Sequence, residues 1–309
     1  MVDWQLKTPV AFIIFNRSDN TEKVFEAIRQ AKPPKLLVVA DGARAERPGE
    51  AEKCAATRAI IDRVDWKCEV LKNYSDMNMG MKRREATGFD WIFDTVEEAI
   101  ILEDDCLPHP TFFRYCEELL EYYRHDTRIM TISGDNTPLG HGRTEDSYYF
   151  SNYPRTWGWA TWRRAWSHYD IDMKNWPQIR DQNWLKDILQ DDQTVKDWKN
   201  ILQSTYEGHE RFETWDYQWV FANWLQNSLS IIPHVNLITN LGFGADSTNT
   251  KDSKNARANV PSQSINFSLK HPIFMIPDTQ RDTFTHRNLY KPFNLVQRIQ
   301  YRLKKIINT

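Results

Sequence analysis

Residues 99–113 read AIILEDDCLPHPTFF, in which an apolar run ends in three consecutive acids. The run is short and rich in branched aliphatic side chains, so it predicts a buried strand. Residues 111–124 then place six apolar or aromatic side chains on one stripe, which predicts a helix with Thr111 as its N-cap. The acidic triplet Glu103-Asp104-Asp105 is therefore expected between the end of a strand and the start of a helix.

The sequence before this stretch alternates strand and helix patterns. Short apolar runs predict strands at residues 10–15, 35–40 and 68–71, separated by amphipathic stretches that predict helices. This alternation is typical of an α/β fold with a doubly wound, mostly parallel sheet flanked by helices. Ligands bind beyond the carboxyl ends of such strands, where the sequence places Asn16-Arg17, Asp41-Gly42 and the acidic triplet.

The acidic triplet is a candidate site for a hard divalent cation. Adjacent carboxylates repel one another, and burial raises their pKa values unless a cation or solvent compensates. In an extended segment Glu103 and Asp105 point to one side and Asp104 to the other. Mg²⁺ or Mn²⁺ often takes one or two carboxylates plus phosphate oxygens and water, so Asp105 alone would suffice. A solvated turn with acids near a helix N-terminus is the alternative interpretation.

Other polar side chains near the strand ends suit an anionic ligand that carries a base. Asp41 precedes Gly42 and could accept an N–H group of a base edge, although Asp-Gly is also a common turn. Arg17 could donate two hydrogen bonds to a diphosphate, and Arg83 with Arg84 could serve the same ligand. Surface arginines at helix starts are the alternative for all three.

Ten of the thirteen tryptophans lie between Trp157 and Trp224, so the character of the chain changes near residue 150. Aromatic faces stack on sugar rings, but large aromatics also fill cores, and most of these tryptophans are expected in the core. Gly158 lies between Trp157 and Trp159 and permits close backbone approach. These two tryptophans are therefore the candidates for contact with a ligand.

A second acid lies in the string FETWDYQW, residues 212–219. Asp216 has Trp215 and Trp219 beside it, which predicts a raised pKa and a capacity to take a proton from a hydroxyl group. It also lies near the start of a helix predicted over residues 214–226, where an acid simply complements the helix dipole. Asp246, in the string LGFGADSTNT, could order over a phosphate ligand or be an ordinary loop residue.

The composition excludes several classes of protein. The chain has 309 residues and a net charge of −2, and no stretch approaches the apolar length of a transmembrane helix. Residues 281–309 carry seven Lys or Arg against one acid, which leaves the rest of the chain strongly acidic and argues against nucleic-acid binding. Residues 295–307 have the pattern of a basic amphipathic helix, suited either to an anionic membrane surface or to packing on the protein. The sequence predicts a cytoplasmic protein with four reduced cysteines.

The strings VAFIIFNRSDNTEKVFEAI, VVADG and IILEDDCLPHPTFFRYCEELL resemble the GT-A glycosyltransferases, especially N-acetylglucosaminyltransferase I and related bacterial sugar transferases. The similarity covers about the first 125 residues well and continues weakly to about residue 250. It implies a Rossmann-like GT-A fold in which Asp105 binds the metal, Asp104 the ribose and Glu103 the side of the donor sugar. It also implies that Asp41 meets the base, that Arg17 lies near the diphosphate, and that Asp216 is the catalytic base.

The predicted activity is a metal-dependent, inverting transfer of a sugar from a nucleoside diphosphate, with UDP as the expected carrier, to a hydroxyl group of a glycan or lipid-linked acceptor. Mn²⁺ or Mg²⁺ is the expected cofactor. Residues 1–145 are assigned to the nucleotide sugar, residues 146–270 to the acceptor and the base, and residues 271–309 to a basic tail with possible contact to the inner membrane face. A carbohydrate-binding protein without catalysis, a sugar-1-phosphate nucleotidyltransferase and a retaining transferase are the alternatives.

Overall fold

An eight-stranded sheet runs through the computed structural model, which describes residues 4–136, 145–189, 191–209, 213–243 and 260–290. The described strands, in chain order, are β1 (Val10–Ile14), β2 (Lys35–Ala40), β3 (Glu69–Tyr74), β4 (Glu98–Glu103), β5 (Cys106–Pro108), β6 (Ile129–Ser133), β7 (Tyr148–Ser151), β8 (Trp159–Trp162), β9 (Leu229–Pro233) and β10 (Ile238–Asn240). The order across the large sheet is β3-β2-β1-β4-β8-β6-β9-β7, and β5 pairs with β10 in a separate two-stranded sheet.

Helices pack on both faces of the sheet. The described α-helices are α1 (Ser18–Ala31), α2 (Glu50–Ile60), α3 (Met81–Thr95), α4 (Thr111–Tyr122), α5 (Arg163–Trp166), α6 (Trp176–Asp181), α7 (Leu185–Ile188), α8 (Asp192–Tyr206), α9 (Asp216–Leu225) and α10 (Thr279–Thr285). The predicted α/β class is thus confirmed, with a mostly parallel sheet flanked by helices.

The sheet has its topological switch point between β1 and β4. β1 pairs in parallel with β2 on one side and with β4 on the other. The chain runs from β1 to β2 and β3 on the first side and then returns to β4 on the second side, so the direction of the strand order reverses at β1. At this point Ile13 lies opposite Glu103, and Ile14 lies opposite Ala40. The loops after β1 and β4 therefore begin side by side, which is where open α/β sheets place their ligands.

Alternation along the central strands builds a core on each face of the sheet. In β1, Val10, Phe12 and Ile14 enter one buried cluster with helices α1 and α4. Ala11 and Ile13 enter the opposite cluster, with α3 and the aromatic side chains of the second half. Both faces are covered, so β1 is apolar at every position, as a strand buried on both sides requires.

Several sequence-based boundaries need correction. The acids after β4 do not lead directly into a helix, because the chain first forms β5 against β10. Helix α4 begins at Thr111, but its N-cap is Pro110 and no side chain caps it. Helix α9 begins at Asp216 rather than Thr214, and its N-cap is Trp215. Residues 159–162, in the tryptophan-rich stretch, form β8 between β4 and β6.

The large sheet contains strands from both sides of the predicted boundary at residue 145, since β7, β8 and β9 lie in it with β1 to β4. Asp246 and the predicted amphipathic segment of residues 295–307 lie outside the described residues. All four cysteines are free thiols. None of the helices in the described part of the chain combines the length and the apolar character needed to cross a membrane.

Candidate active site

A cavity lies at the carboxyl ends of β1 and β4, beside the switch point. Among the described residues it is lined by Arg17, Met81, Glu85, Glu103, Asp105, Thr156, Trp157, Thr214, Trp215, Asp216, Asn240, Gly242 and Phe243. These residues come from the end of β4, from the loops after β1 and β4, from the first two turns of α3, from the segments before β8 and at the start of α9, and from the end of β10 with the residues after it. The cavity therefore brings together two acids of the triplet and the predicted base, which are more than a hundred residues apart in the sequence.

Arg17 joins the two aspartates of the triplet. Its Nη1 donates to Asp105 Oδ2 at 2.7 Å, and its Nη2 forms an ion pair with Asp104 Oδ1. The Phe15 backbone N–H also donates to Asp104, at 3.3 Å, so Asp104 is held behind the cavity wall with 2% of its surface exposed. The predicted orientation is observed, because Glu103 and Asp105 line the cavity and Asp104 does not. A ribose contact by Asp104 would require this ion pair to rearrange.

The cavity concentrates negative charge. Among its described lining residues, Glu85, Glu103, Asp105 and Asp216 face the single guanidinium of Arg17. Burial, followed by the charge on Glu85, raises the pKa of Glu103 well above its usual range. Burial also raises the pKa of Asp104 to about 6, although Arg17 opposes this. At neutral pH the cluster must therefore hold protons or attract a cation.

The acids fit a hard divalent cation. Glu103, Asp105 and Cys106 each place a ligand atom within 4.8 Å of the others. Burial raises the pKa of the Cys106 thiol well above its usual range, so this thiol stays protonated and is a poor ligand. Glu103 and Asp105 then offer the one or two carboxylates that Mg²⁺ or Mn²⁺ takes when phosphate and water complete the shell. The Glu85 Oε2 atom supports a ligand here independently, because it is buried and has no hydrogen-bond partner among the described residues.

The segment after β10 holds Asp105 from the other side. The Leu241 backbone N–H donates to the Asp105 carbonyl oxygen at 2.8 Å, and Gly242 N–H donates to Asn240 Oδ1 at 2.7 Å. A Cβ atom on Gly242 would lie 2.1 Å from Asp105 Oδ2. Only glycine fits at residue 242 without moving the carboxylate. The sequence string LGFG contained this glycine, but nothing in it indicated which side chain it accommodates.

Asp216 also lines the cavity, at the start of α9. Thr214 Oγ1 donates to Asp216 Oδ1 at 2.5 Å, and the Tyr217 backbone N–H donates to the same oxygen at 3.1 Å. Both bonds hold one oxygen of the carboxylate. Burial raises the pKa of Asp216, as predicted from its aromatic neighbours. A carboxylate with a raised pKa is a better proton acceptor for a hydroxyl group than an exposed one.

The two candidate tryptophans have different surroundings. Trp157 lines the cavity and meets Phe243 edge-on, with ring centroids 5.7 Å apart. Trp159 is fully buried and stacks on Trp215 with ring centroids 5.4 Å apart, so the expected ligand contact does not apply to it. The reason is its place in β8, which lies inside the sheet and turns this side chain into the core.

Three further candidates lie away from the cavity. Asp41 accepts hydrogen bonds from the Gly42, Met79 and Gly80 backbone N–H groups and from the Asn78 side chain, so contact with a base would require this loop to release it. Asn16 donates to Glu50 at 3.0 Å. Arg83 is exposed and lines a different pocket, with Lys82 and Glu213. In α3 it is Glu85, two residues later, that reaches the candidate site.

Glu85 was not among the residues predicted from the sequence. Burial, followed by the charge on Asp216, raises its pKa to about 8. A signal for it did exist, because Glu85, Phe89 and Phe93 recur every four residues along α3 and all three are buried. An acid on the apolar stripe of a helix indicates a special environment. The neighbouring arginines made the start of this helix look like a solvated basic face.

Comparisons with known proteins show weak likeness only. Neither a protein-family model nor a curated protein matches the chain. The 4-diphosphocytidyl-2C-methyl-D-erythritol synthase of Anaerococcus prevotii is 9% identical over 53% of this chain and 75% of that protein, with a TM-score of 0.33. An apo UDP-glucose pyrophosphorylase is 10% identical over 72% and 90%, with a TM-score of 0.35. Mouse xyloside xylosyltransferase 1 is 9% identical over 70% and 81%, with a TM-score of 0.33. Likeness at this level leaves the function to be argued from the site itself.

Proposed function

We propose that the protein is a metal-dependent, inverting glycosyltransferase that moves a sugar from a nucleoside diphosphate, with UDP as the carrier, to an acceptor hydroxyl group. The observation that carries the proposal is that Asp105 and Asp216 line one cavity at the switch point of the sheet. Transfer with inversion needs positive charge behind the leaving diphosphate and a base behind the attacking hydroxyl. Two separate carboxylates in one cavity suit these two tasks.

On the donor side, Glu103 and Asp105 would hold Mn²⁺ or Mg²⁺. Such a cation supplies charge neutralisation for the diphosphate when it is bound. Arg17 lies beside these acids with 23% of its side chain exposed, so it can add a hydrogen bond to a phosphate oxygen once a cation satisfies Asp105. Asp104, buried and bonded to Arg17, keeps the guanidinium at this place.

On the acceptor side, Asp216 would take the proton of the hydroxyl group as the hydroxyl oxygen attacks the anomeric carbon. The new bond joins that oxygen to the anomeric carbon, and the bond from the carbon to the phosphate oxygen breaks. The nucleoside diphosphate leaves with the electron pair. Trp157 offers an apolar ring face at the cavity wall, of the kind on which sugars stack.

Donor hydrolysis tests the proposal without knowledge of the acceptor, since water can replace the acceptor hydroxyl. We expect release of UDP from a panel of UDP-sugars to require Mn²⁺ or Mg²⁺, and the first sugar anomer seen by NMR to be inverted. Asp216→Asn should lower the rate at least about a hundredfold, since general bases contribute roughly that much or more. The same variant should still bind UDP in calorimetry.

Asp181→Asn is the matched control, since Asp181 is an acid at the end of α6 that does not line the cavity. It should leave the rate unchanged. Full activity of Asp216→Asn would remove the assigned base. Formation of pyrophosphate from UTP and a sugar 1-phosphate would instead favour a nucleotidyltransferase, and a retained anomer would exclude the inverting mechanism.

A further inference from the structure

Glu85 lines the candidate site from a fixed place in the fold. It lies in the second turn of α3, and this helix is pressed onto β2 where Gly88 meets Val39. A Cβ atom on Gly88 would lie 2.7 Å from Val39 Cγ1, so the helix backbone cannot shift freely at this point. The Glu85 side chain is therefore carried by a rigid element, as a recognition residue should be.

One oxygen of Glu85 lacks a hydrogen-bond partner. The Trp215 side chain lies beside the carboxyl group and lowers its pKa, against the larger effect of burial. Trp215 is itself held by Phe89 and Trp159, with ring centroids 4.7 and 5.4 Å away. Glu85 Oε2 has no hydrogen-bond partner among the described residues, although the residue is 9% exposed. A buried acceptor without a partner is unfavourable, and a bound hydroxyl group would supply the missing bond.

Glu85 shares the cavity with both proposed catalytic groups. It lines the cavity together with Asp216, the proposed base, and with Glu103 and Asp105, the proposed metal-binding acids. A transferred sugar must lie in the same cavity, because its anomeric carbon is attacked from the side of the base and leaves the diphosphate on the side of the metal.

We infer that Glu85 binds a hydroxyl group of the transferred sugar and helps to select that sugar. The inference rests on the proposed function. Glu85 is absent from the group of side chains whose ligand atoms lie within 4.8 Å of one another, which separates it from the metal-binding acids. Glu85 Oε2, which has no partner among the described residues, can accept a hydrogen bond from such a hydroxyl group. A sugar that lacks this hydroxyl, or presents it in the opposite configuration, leaves Oε2 unpaired and binds more weakly.

The test measures how much the sugar adds to the affinity for UDP. Dissociation constants of UDP, UDP-glucose, UDP-galactose and UDP-N-acetylglucosamine are determined by calorimetry with Mn²⁺ present. We expect Glu85→Ala to weaken binding of the best UDP-sugar about tenfold, as loss of one such bond implies, and to leave UDP binding unchanged. Glu85→Gln should retain most of the sugar's contribution, because an amide also donates and accepts.

Glu98→Gln is the matched control. Glu98 is another glutamate whose pKa burial raises, but it begins β4 at the far end from the cavity and pairs with Arg124. This variant should bind every ligand as the wild type does. Thermal melting should show Glu85→Ala to be at least as stable as the wild type, because it removes an acid from a buried, acidic site; a merely structural residue would lose stability instead.

The outcomes separate the inference from the proposed function. If the wild type binds UDP-sugars and Glu85→Ala keeps the full contribution of the sugar, the inference is overturned and the proposed function stands. An equal loss for UDP and UDP-sugar would assign Glu85 to the nucleotide or the metal and also overturn it. If neither UDP nor any UDP-sugar binds the wild type, both proposals fall together.

Discussion

Arg17 and Asp105 form an ion pair of 2.7 Å across the switch point of the sheet, although 88 positions separate them in the sequence. Arg17 follows β1 and Asp105 follows β4, and these strands are neighbours in register. Asp104 binds the same guanidinium, so one cation compensates two acids. Under the proposed function, a divalent cation would satisfy Asp105, and Arg17 could then donate a hydrogen bond to the diphosphate.

Replacing Arg17 by Met should destabilise the fold. The variant leaves Asp104 buried without its partner, and breaking such pairs costs about 3–5 kcal/mol when both groups are fully buried. Arg17 is partly exposed, so we expect a loss of about 2 kcal/mol at pH 8. The loss should be smaller at pH 5, where Asp104 is protonated in the fold. Urea unfolding at both pH values measures this, and an equal loss at both would contradict it.

Glu85 should make stability depend on pH. Its pKa rises from the ordinary 4.5 to about 8 in the fold, because burial and then the charge on Asp216 disfavour the ionised form. Between these values the folded state holds a proton that the unfolded state has lost, so the free energy of unfolding falls as the pH rises. Glu85→Gln removes this contribution. Its unfolding free energy, measured in EDTA between about pH 5 and pH 8, should fall less than that of the wild type; parallel curves would refute the assignment.

The two neighbouring tryptophans should separate stability from binding. Trp159→Ala leaves a cavity in the core and should cost about 3–5 kcal/mol. Trp157→Ala removes a side chain that lines the candidate site, so it should cost less than about 2 kcal/mol and weaken the binding of UDP-sugars. Chemical denaturation and calorimetry on both variants measure the difference. The reverse pattern would place the sugar elsewhere.

Gly242→Ala should disturb the proposed metal site directly. The added methyl group would meet Asp105 Oδ2 at 2.1 Å, so the carboxylate must move. We expect the rise in melting temperature produced by Mn²⁺ with UDP to be lost or strongly reduced. Gly208→Ala is the control, because it strains a backbone with φ of +69° but meets nothing within 4 Å. It should lower the melting temperature and leave the response to Mn²⁺ intact.

The sequence predicts the first strands of the fold well because local pattern decides them. Strand β2 matches its prediction at both ends, β1 ends one residue earlier than predicted, and β4 extends one residue beyond the apolar run of residues 99–102 at each end. The acids at the end of β4 could be selected as candidate site residues from the sequence, because a strand buried on both faces has no reason to end in three carboxylates. Asp216 could be selected because aromatic residues flank it.

The remaining features depend on pairing between distant segments. Strand β5 is three residues long and forms by pairing with β10, so no local sequence pattern predicts it. The sequence places Asp41 at the correct strand end. The backbone N–H groups that bond to it belong to the loop of residues 77–80, which follows β3 and is distant in the sequence. In the sequence, Glu85 belongs to a stretch that resembles a basic helix start. Its burial becomes visible only from the packing of α3 on the sheet. The sequence does not distinguish Trp159 from Trp157. The difference arises because Trp159 belongs to β8, which pairs with β4 inside the sheet.

The central claim is that the acids closing β4 hold a divalent cation against a diphosphate. Calorimetry of UDP binding in Mn²⁺ and in EDTA, with wild type and Asp105→Ala, tests it most directly. We expect UDP to bind the wild type in Mn²⁺, and to bind at least about tenfold more weakly when either the ion or the Asp105 carboxylate is removed. Equal affinity for UDP in all four combinations would contradict the claim.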